Sequence, residues 1–279
     1  MAVIPGLDKL AEILTNGTAQ HPSCSIDSRV GAAAATATIT GQFTSLWKYN
    51  KTNGANGANP PTGSGEAPTR ATIGALKHTN AASGKELWLL GLEAVANVAG
   101  TLVFYDRLVH TRGLSGIVAS AQAVNSVALT RNTSGEGVQA WVEIYTAVGA
   151  TVTTMTISYT NQAGVAGRIS PAFVFGGTNG REEGRLIRVP LADGDTGVQS
   201  VQSVTPLAST GTAGDFGITL AKRIANGFIE GPGSSCFRDF LTGIPAMITI
   251  PDNACLALGW VAGSVTPPRL DFTYHAAEN

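Results

Sequence analysis

Asp106, Arg107 and His110 place an acid, a fixed cation and a titratable base within five positions at the end of an apolar run. Hydrolytic chemistry from them would need a Ser or Cys nucleophile in a strained turn of the Gly-x-Ser-x-Gly kind, and none is near. They read instead as an Asp–Arg pair closing a strand into its turn. Asp193 and Asp195 set two carboxylates at i and i+2, a fragment of a calcium loop that lacks the third ligand position and the terminal bidentate Glu. That reads as a turn. Glu182 and Glu183 would act as paired acids only if another element brought a substrate groove to them. The four histidines, His21, His78, His110 and His275, show no His-Glu-x-x-His or His-x-His pairing.

Cys24, Cys236 and Cys255 share no metal-ligand spacing, and an odd number suits unpaired thiols in a reducing compartment. Cys255 opens an apolar strand and is expected buried. Cys24 follows His21-Pro22-Ser23 in what reads as an exposed connection, so it is the candidate for any intersubunit disulfide. Trp47, Trp88, Trp141 and Trp260 are dispersed, whereas a sugar-binding groove needs its aromatics gathered; Trp88 and Trp260 lie in apolar strands and are expected in the core. No catalytic residue, cofactor site or metal site is assigned, and the chain is expected not to be an enzyme.

The elements that carry these residues follow from composition and pattern. Charged residues make up 13% of 279, about half the ordinary share, and the formal net charge is −1. Phosphate neutralisation needs clustered Lys and Arg, so no nucleic-acid partner is expected. The run Arg181-Glu182-Glu183-Gly184-Arg185, followed by Arg188, alternates in sign and reads as a solvated loop or as intersubunit salt bridges. A chain this weakly charged has little repulsion to keep copies apart, which favours a subunit that hides part of its surface in an assembly. No run of 18 apolar residues exists and the start has no basic n-region, so neither a membrane helix nor a signal peptide is expected.

Residues 1–47 read as an N-terminal helix and arm, with Leu7, Leu10, Ala11 and Leu14 at helical spacing after Pro5. Residues 48–72 form an extended Gly/Asn/Pro-rich loop with few apolar anchors, for which a neighbouring subunit is the expected support. Residues 73–279 read as a β-sandwich, with room for two packed sub-sandwiches. Its strand signals include Glu86–Val98, Thr101–Val109, the alternating Val138–Tyr145 and Thr151–Thr160, and three C-terminal runs near Ala246, Cys255 and Leu270. The third and fourth, joined by Ala147–Ala150, read as a hairpin. Many short strands with turn signals predict a mainly β chain, an antiparallel sandwich of jelly-roll type.

Four segments in consistent order resemble a widespread set of tailed-bacteriophage virion structural proteins. They are Gly41–Lys48, Phe104–His110 with Gly113–Gly116, Ser158–Arg168 and Ile244–Leu256. The resemblance implies a virion protein made in the host bacterial cytoplasm, with a capsid decoration or cement role ahead of a tail, collar or baseplate role. A receptor- or carbohydrate-binding role comes third. Its implied partners are copies of itself, as a trimer before a dimer, and the major capsid protein; it supplies no catalytic residue.

Overall fold

The computed structural model describes residues 18–28, 38–50, 55–240 and 248–278. The expected helix over Pro5–Leu14 lies outside them. Among the described residues the single helical element is a 3-10 turn, Trp47–Tyr49, and all strand pairings are antiparallel. One open sheet runs β1 (Ala19–Gln20), β17 (Arg269–Glu278), β4 (Leu87–Ala96), β14 (Ser235–Asp239). Two further strands flank it: β2 (Ser23–Asp27) on β17 and β15 (Ile248–Ile250) on β4. A second open sheet runs β10 (Phe173–Gly176), β8 (Val152–Asn161), β12 (Val198–Pro206), β6 (Gln122–Ala123), with β9 (Arg168–Ile169) also on β8.

Between them six strands close into a barrel: β11 (Arg185–Arg188), β3 (Phe43–Ser45), β16 (Leu256–Ala262), β5 (Gly100–His110), β13 (Asp215–Ile229) and β7 (Val138–Thr146). The mainly β, antiparallel class is as the sequence predicts. The jelly-roll division, eight strands in two sheets, is not what these strands form. The physical reason is that β5 and the first half of β13 are buried on both faces, and a closed sheet lets one face fill a lumen while the other covers a core.

The first core lies between the barrel and the first sheet, where Leu102 and Phe104 of β5 meet Leu89, Leu92, Phe272 and Tyr274. The second lies between the barrel and the second sheet. There Val138, Ala140, Val142 and Ile144 of β7 face Met155, Ile157 and Tyr159 of β8. β7 and β8 are therefore not the hairpin their sequence suggests: β7 pairs with β11 and β13, and β8 with β9, β10 and β12. Each carries one strongly apolar face, and folding one strand over the other buries both faces at once, which edge pairing does not. The sharp crossing depends on Gly149, where a Cβ would sit 1.7 Å from the Thr210 carbonyl oxygen. The 15-residue β13 serves both cores, with Phe216, Ile218 and Leu220 in the second and Ala225 and Ile229 in the first. Two register shifts against β5, at Leu220/Ala221 and Arg223/Ala225, give it the bend this requires.

The described part of the Gly/Asn/Pro-rich segment, residues 55–72, bonds to its own chain. Trp47 Nε1 donates to the Ala58 carbonyl at 2.8 Å, and Gly57 and Gly74 pack against the Trp47 ring. Glu66 makes an isolated β-bridge with His110, and the Pro68 carbonyl accepts from Arg131. Polar anchors and backbone bridges do for residues 55–72 what apolar anchors do elsewhere.

Candidate functional site

Asp106, Arg107 and His110 are all buried, but each takes a different partner. Asp106 accepts two bonds from Arg131, at 2.9 and 3.0 Å, and one from the Cys255 amide at 2.8 Å. Arg131 also donates to the Pro68 and Arg107 carbonyls. This ties the barrel to the loop ahead of it.

Arg107 enters the barrel lumen and pairs with Glu143 through both terminal nitrogens, at 2.5 and 3.3 Å. Its guanidinium carbon stands 4.9 Å from the centroid of the Trp47 ring. Glu143 accepts further bonds from Tyr145 and Thr219. Burial pushes the Glu143 carboxyl up, but Arg107 and these donors outweigh it and hold it below its usual range. Arg107 Nε, always a donor, points at His110 Nδ1 at 2.9 Å. His110 Nδ1 must therefore accept, its proton sits on Nε2, and Nε2 donates to Glu66 at 3.0 Å. Burial and the neighbouring Arg107 lower the His110 pKa and favour this neutral form. The chain Glu66–His110–Arg107–Glu143 thus runs from a half-exposed carboxylate into the lumen with its buried members satisfied. It joins β5 to β7 inside the barrel and, through Glu66, to the segment packed outside it.

The other flagged residues are similarly committed. Asp195 accepts from Tyr159 Oη at 2.5 Å, Asn161 Nδ2 at 2.7 Å and Arg168 Nε at 2.9 Å. These bonds, Tyr159's first, bring its carboxyl down to about 2. The Asp193–Asp195 turn is a hub that pins the 161–168 loop. The Arg181–Arg188 run is not uniformly solvated: Arg185 is fully buried at the start of β11 and donates to Thr44, while Glu183 pairs with Lys48.

Cys255 is buried as expected. Cys24 is not in an exposed connection but half-buried on β2 against the first core, and burial, aided by Asp271, pushes its thiol up to about 12. Trp47, Trp88 and Trp260 are buried, and Trp141 packs edge-on to Phe43 at the barrel mouth, so the four line no common groove. Among the described residues no group of three or more His, Cys, Asp or Glu side chains is arranged to hold a metal, and no helix is long and apolar enough to cross a membrane.

One surface stands out by composition. The outward positions of β8 are Val152, Thr154, Thr156, Ser158 and Thr160, alternating with the buried ones. Their cross-strand neighbours are Val174 and Leu207 beside Thr154, Thr205 beside Thr156, Ile169 and Ser203 beside Ser158, and Ser200 beside Thr160. None carries a charge. Val152, Ile169, Val174 and Leu207 are each more than half exposed, Leu207 at 77%. Arg168, the nearest cation, is turned back toward Asp195.

No family model matches the chain, and no curated protein does. Among solved structures it is similar to the VP2 subviral particle of infectious bursal disease virus, at 9% identity and a TM-score of 0.12, covering all of this chain and 81% of that one. The D431N mutant VP2 protein of the same virus, as derived T=1 particles, gives 9% identity and a TM-score of 0.13, covering 94% and 76%. The 2.6 Å structure of the virus-derived T=1 particles gives 8% and 0.13, covering 99% and 83%. Overlaps this weak show neither a shared fold nor a shared function.

Sequence reasoning missed Glu66, Arg131 and Glu143, the partners that saturate the flagged cluster, because they lie 25 to 44 positions away from the residues they bind. The uncharged face did leave a signal: Thr, Thr, Ser and Thr occupy successive outward positions of β8, where a solvated strand usually places Lys or Glu.

Proposed function

We propose that this chain is a non-enzymatic structural subunit of a virion, a capsid decoration protein that pairs with copies of itself and binds the outer shell. The observation that carries the assembly half of this reading is the uncharged outward face of β8, β10 and β12. A second copy is the occupant it suits, since two such faces meet across a two-fold axis without like-charge repulsion or desolvated charge. We take the two-fold pair, rather than a trimer, as the arrangement to test. The virion half is supported by the four ordered segments that resemble tailed-phage structural proteins. The non-enzymatic half is supported by the commitment of Asp106, Arg107, Glu143 and Asp195 to internal bonds.

Mechanistically the subunit acts by mass action: it binds the assembled shell and not its broken form, and so stabilises the shell. Paired subunits attach at two points, which makes modest single contacts collectively tight. The test is copy number per particle, read from a stained gel of purified virions. Copies in the hundreds are expected of a shell protein; a handful would place the chain in the tail, collar or baseplate.

A further inference from the structure

We propose that His21 and His275 form a binding site for a divalent transition-metal ion of the zinc, nickel and copper class. Their Nδ1 atoms, from positions 254 apart in sequence, face each other at 2.8 Å, with ring centroids 5.0 Å apart. At that distance one nitrogen donates a proton to the lone pair of the other. An ion with metal–nitrogen bonds of about 2.0–2.1 Å and a tetrahedral angle holds two nitrogens roughly 3.3 Å apart. Replacing the shared proton by a metal therefore asks the rings to open by about half an ångström. His21 has that freedom at its side chain, which is exposed in the two-residue break between β1 and β2.

Two further observations point to a ligand role for His275. Glu93 Oε1 lies 3.6 Å from its Nε2, in ion-pair range. A carboxylate behind the far nitrogen draws the proton to Nε2 and leaves Nδ1 as the electron-pair donor, the arrangement that orients metal-binding imidazoles. The strand pairing is also irregular at the ring. The register of β17 on β4 slips between His275 and Ala276, and the residue opposite His275 is Gly91. A Cβ at Gly91 would lie 3.0 Å from the Arg238 carbonyl oxygen and 3.8 Å from His275 Cδ2. Bulges commonly re-aim a side chain in this way. Imidazole suits zinc, nickel and copper better than calcium or magnesium, which sets the class.

With two protein ligands, the remaining coordination positions belong to water. β1 and β2 both pair with β17, so a bound ion would clamp the break between them onto that strand. The site was invisible in sequence because its two ligands sit near opposite ends of the chain.

Isothermal titration of the intact chain with zinc chloride tests this. One site per chain is expected. His21→Ala and His275→Ala should each weaken binding at least tenfold, and Glu93→Gln by about tenfold, while Cys24→Ser leaves it unchanged. His21 is solvent-facing, so its variant tests binding without endangering the fold; circular dichroism checks each. Absence of binding heat at millimolar zinc, or equal affinity in the wild type and His21→Ala, overturns the proposal.

Discussion

Arg107 and Glu143 show what a buried ion pair does to a single residue's tolerance for change. Arg107 is fully buried and Glu143 nearly so, and each depends on the other for charge balance. Removing one partner strands the other's charge, so Glu143→Gln should cost about 3–5 kcal/mol by urea denaturation, and the Arg107→Met/Glu143→Met double variant distinctly less than the sum of the singles. Additive single effects would show that the pair is not coupled. His78 makes a pH prediction. Burial, reinforced by Arg70, lowers its pKa to about 4. Between about pH 6.5 and pH 4 the unfolded chain takes a proton that the folded chain refuses. Its contribution is therefore complete above about pH 6.5 and declines as the pH falls through that window, by roughly 3 kcal/mol at most. His110, lowered for a similar reason, acts with the same sign. His78→Gln should flatten the dependence of the urea midpoint on pH between 4 and 6.5; an unchanged slope would refute the assignment. At this scale the sequence identified residues with chemistry but not their partners, because side-chain pairing is set by a barrel closure that no local spacing encodes.

Among the elements, strand positions were well read and strand pairings were not. Glu86–Val98, Thr101–Val109 and the alternating runs at 138 and 151 all became strands close to their expected bounds. Period-two patterning states which face is apolar, but not whether that face meets an edge neighbour or a sheet across a core. β7 and β8 took the second course. The 48–72 loop shows few apolar anchors in sequence because its anchors are glycines and carbonyls. Gly74, just beyond it at φ +101°, is where Gly57 docks: a Cβ there would lie 2.6 Å from Gly57 Cα and 2.9 Å from the Trp47 ring. Gly74→Ala should destabilise the protein by about 2–4 kcal/mol, combining left-handed strain with overpacking. The Trp47 emission should move to longer wavelength as its cover loosens. A melting temperature within a degree or so of wild type would mean the loop is not docked on Trp47.

For the whole molecule, low charge and an uncharged sheet face are one fact seen at two resolutions. A composition of 13% charged residues could have been spread evenly, leaving every surface equally sparse. Instead the cations and acids are drawn into pairs such as Arg107–Glu143, Arg131–Asp106 and Arg168–Asp195, and the outward rows of β8, β10 and β12 are left without any. Such a face is tolerable in an assembled subunit and a liability in a free one. Placing one charge at its centre tests this directly. Thr156 stands on the outward side of β8 opposite Thr205, and Val174 stands outward on β10. Thr156→Lys and Val174→Lys each introduce a solvent-facing cation that the proposed two-fold axis would bring close to its symmetry mate. Sedimentation velocity should then show the dimer of the parent chain replaced by monomer, with the melting temperature of the monomer itself little changed, since surface substitutions of this kind usually fall within about 0.5 kcal/mol. A Thr156→Ser control should still dimerise. Should the lysine variants dimerise as strongly as the parent, the copies meet through some other surface, and the assignment of β8, β10 and β12 as the interface is wrong.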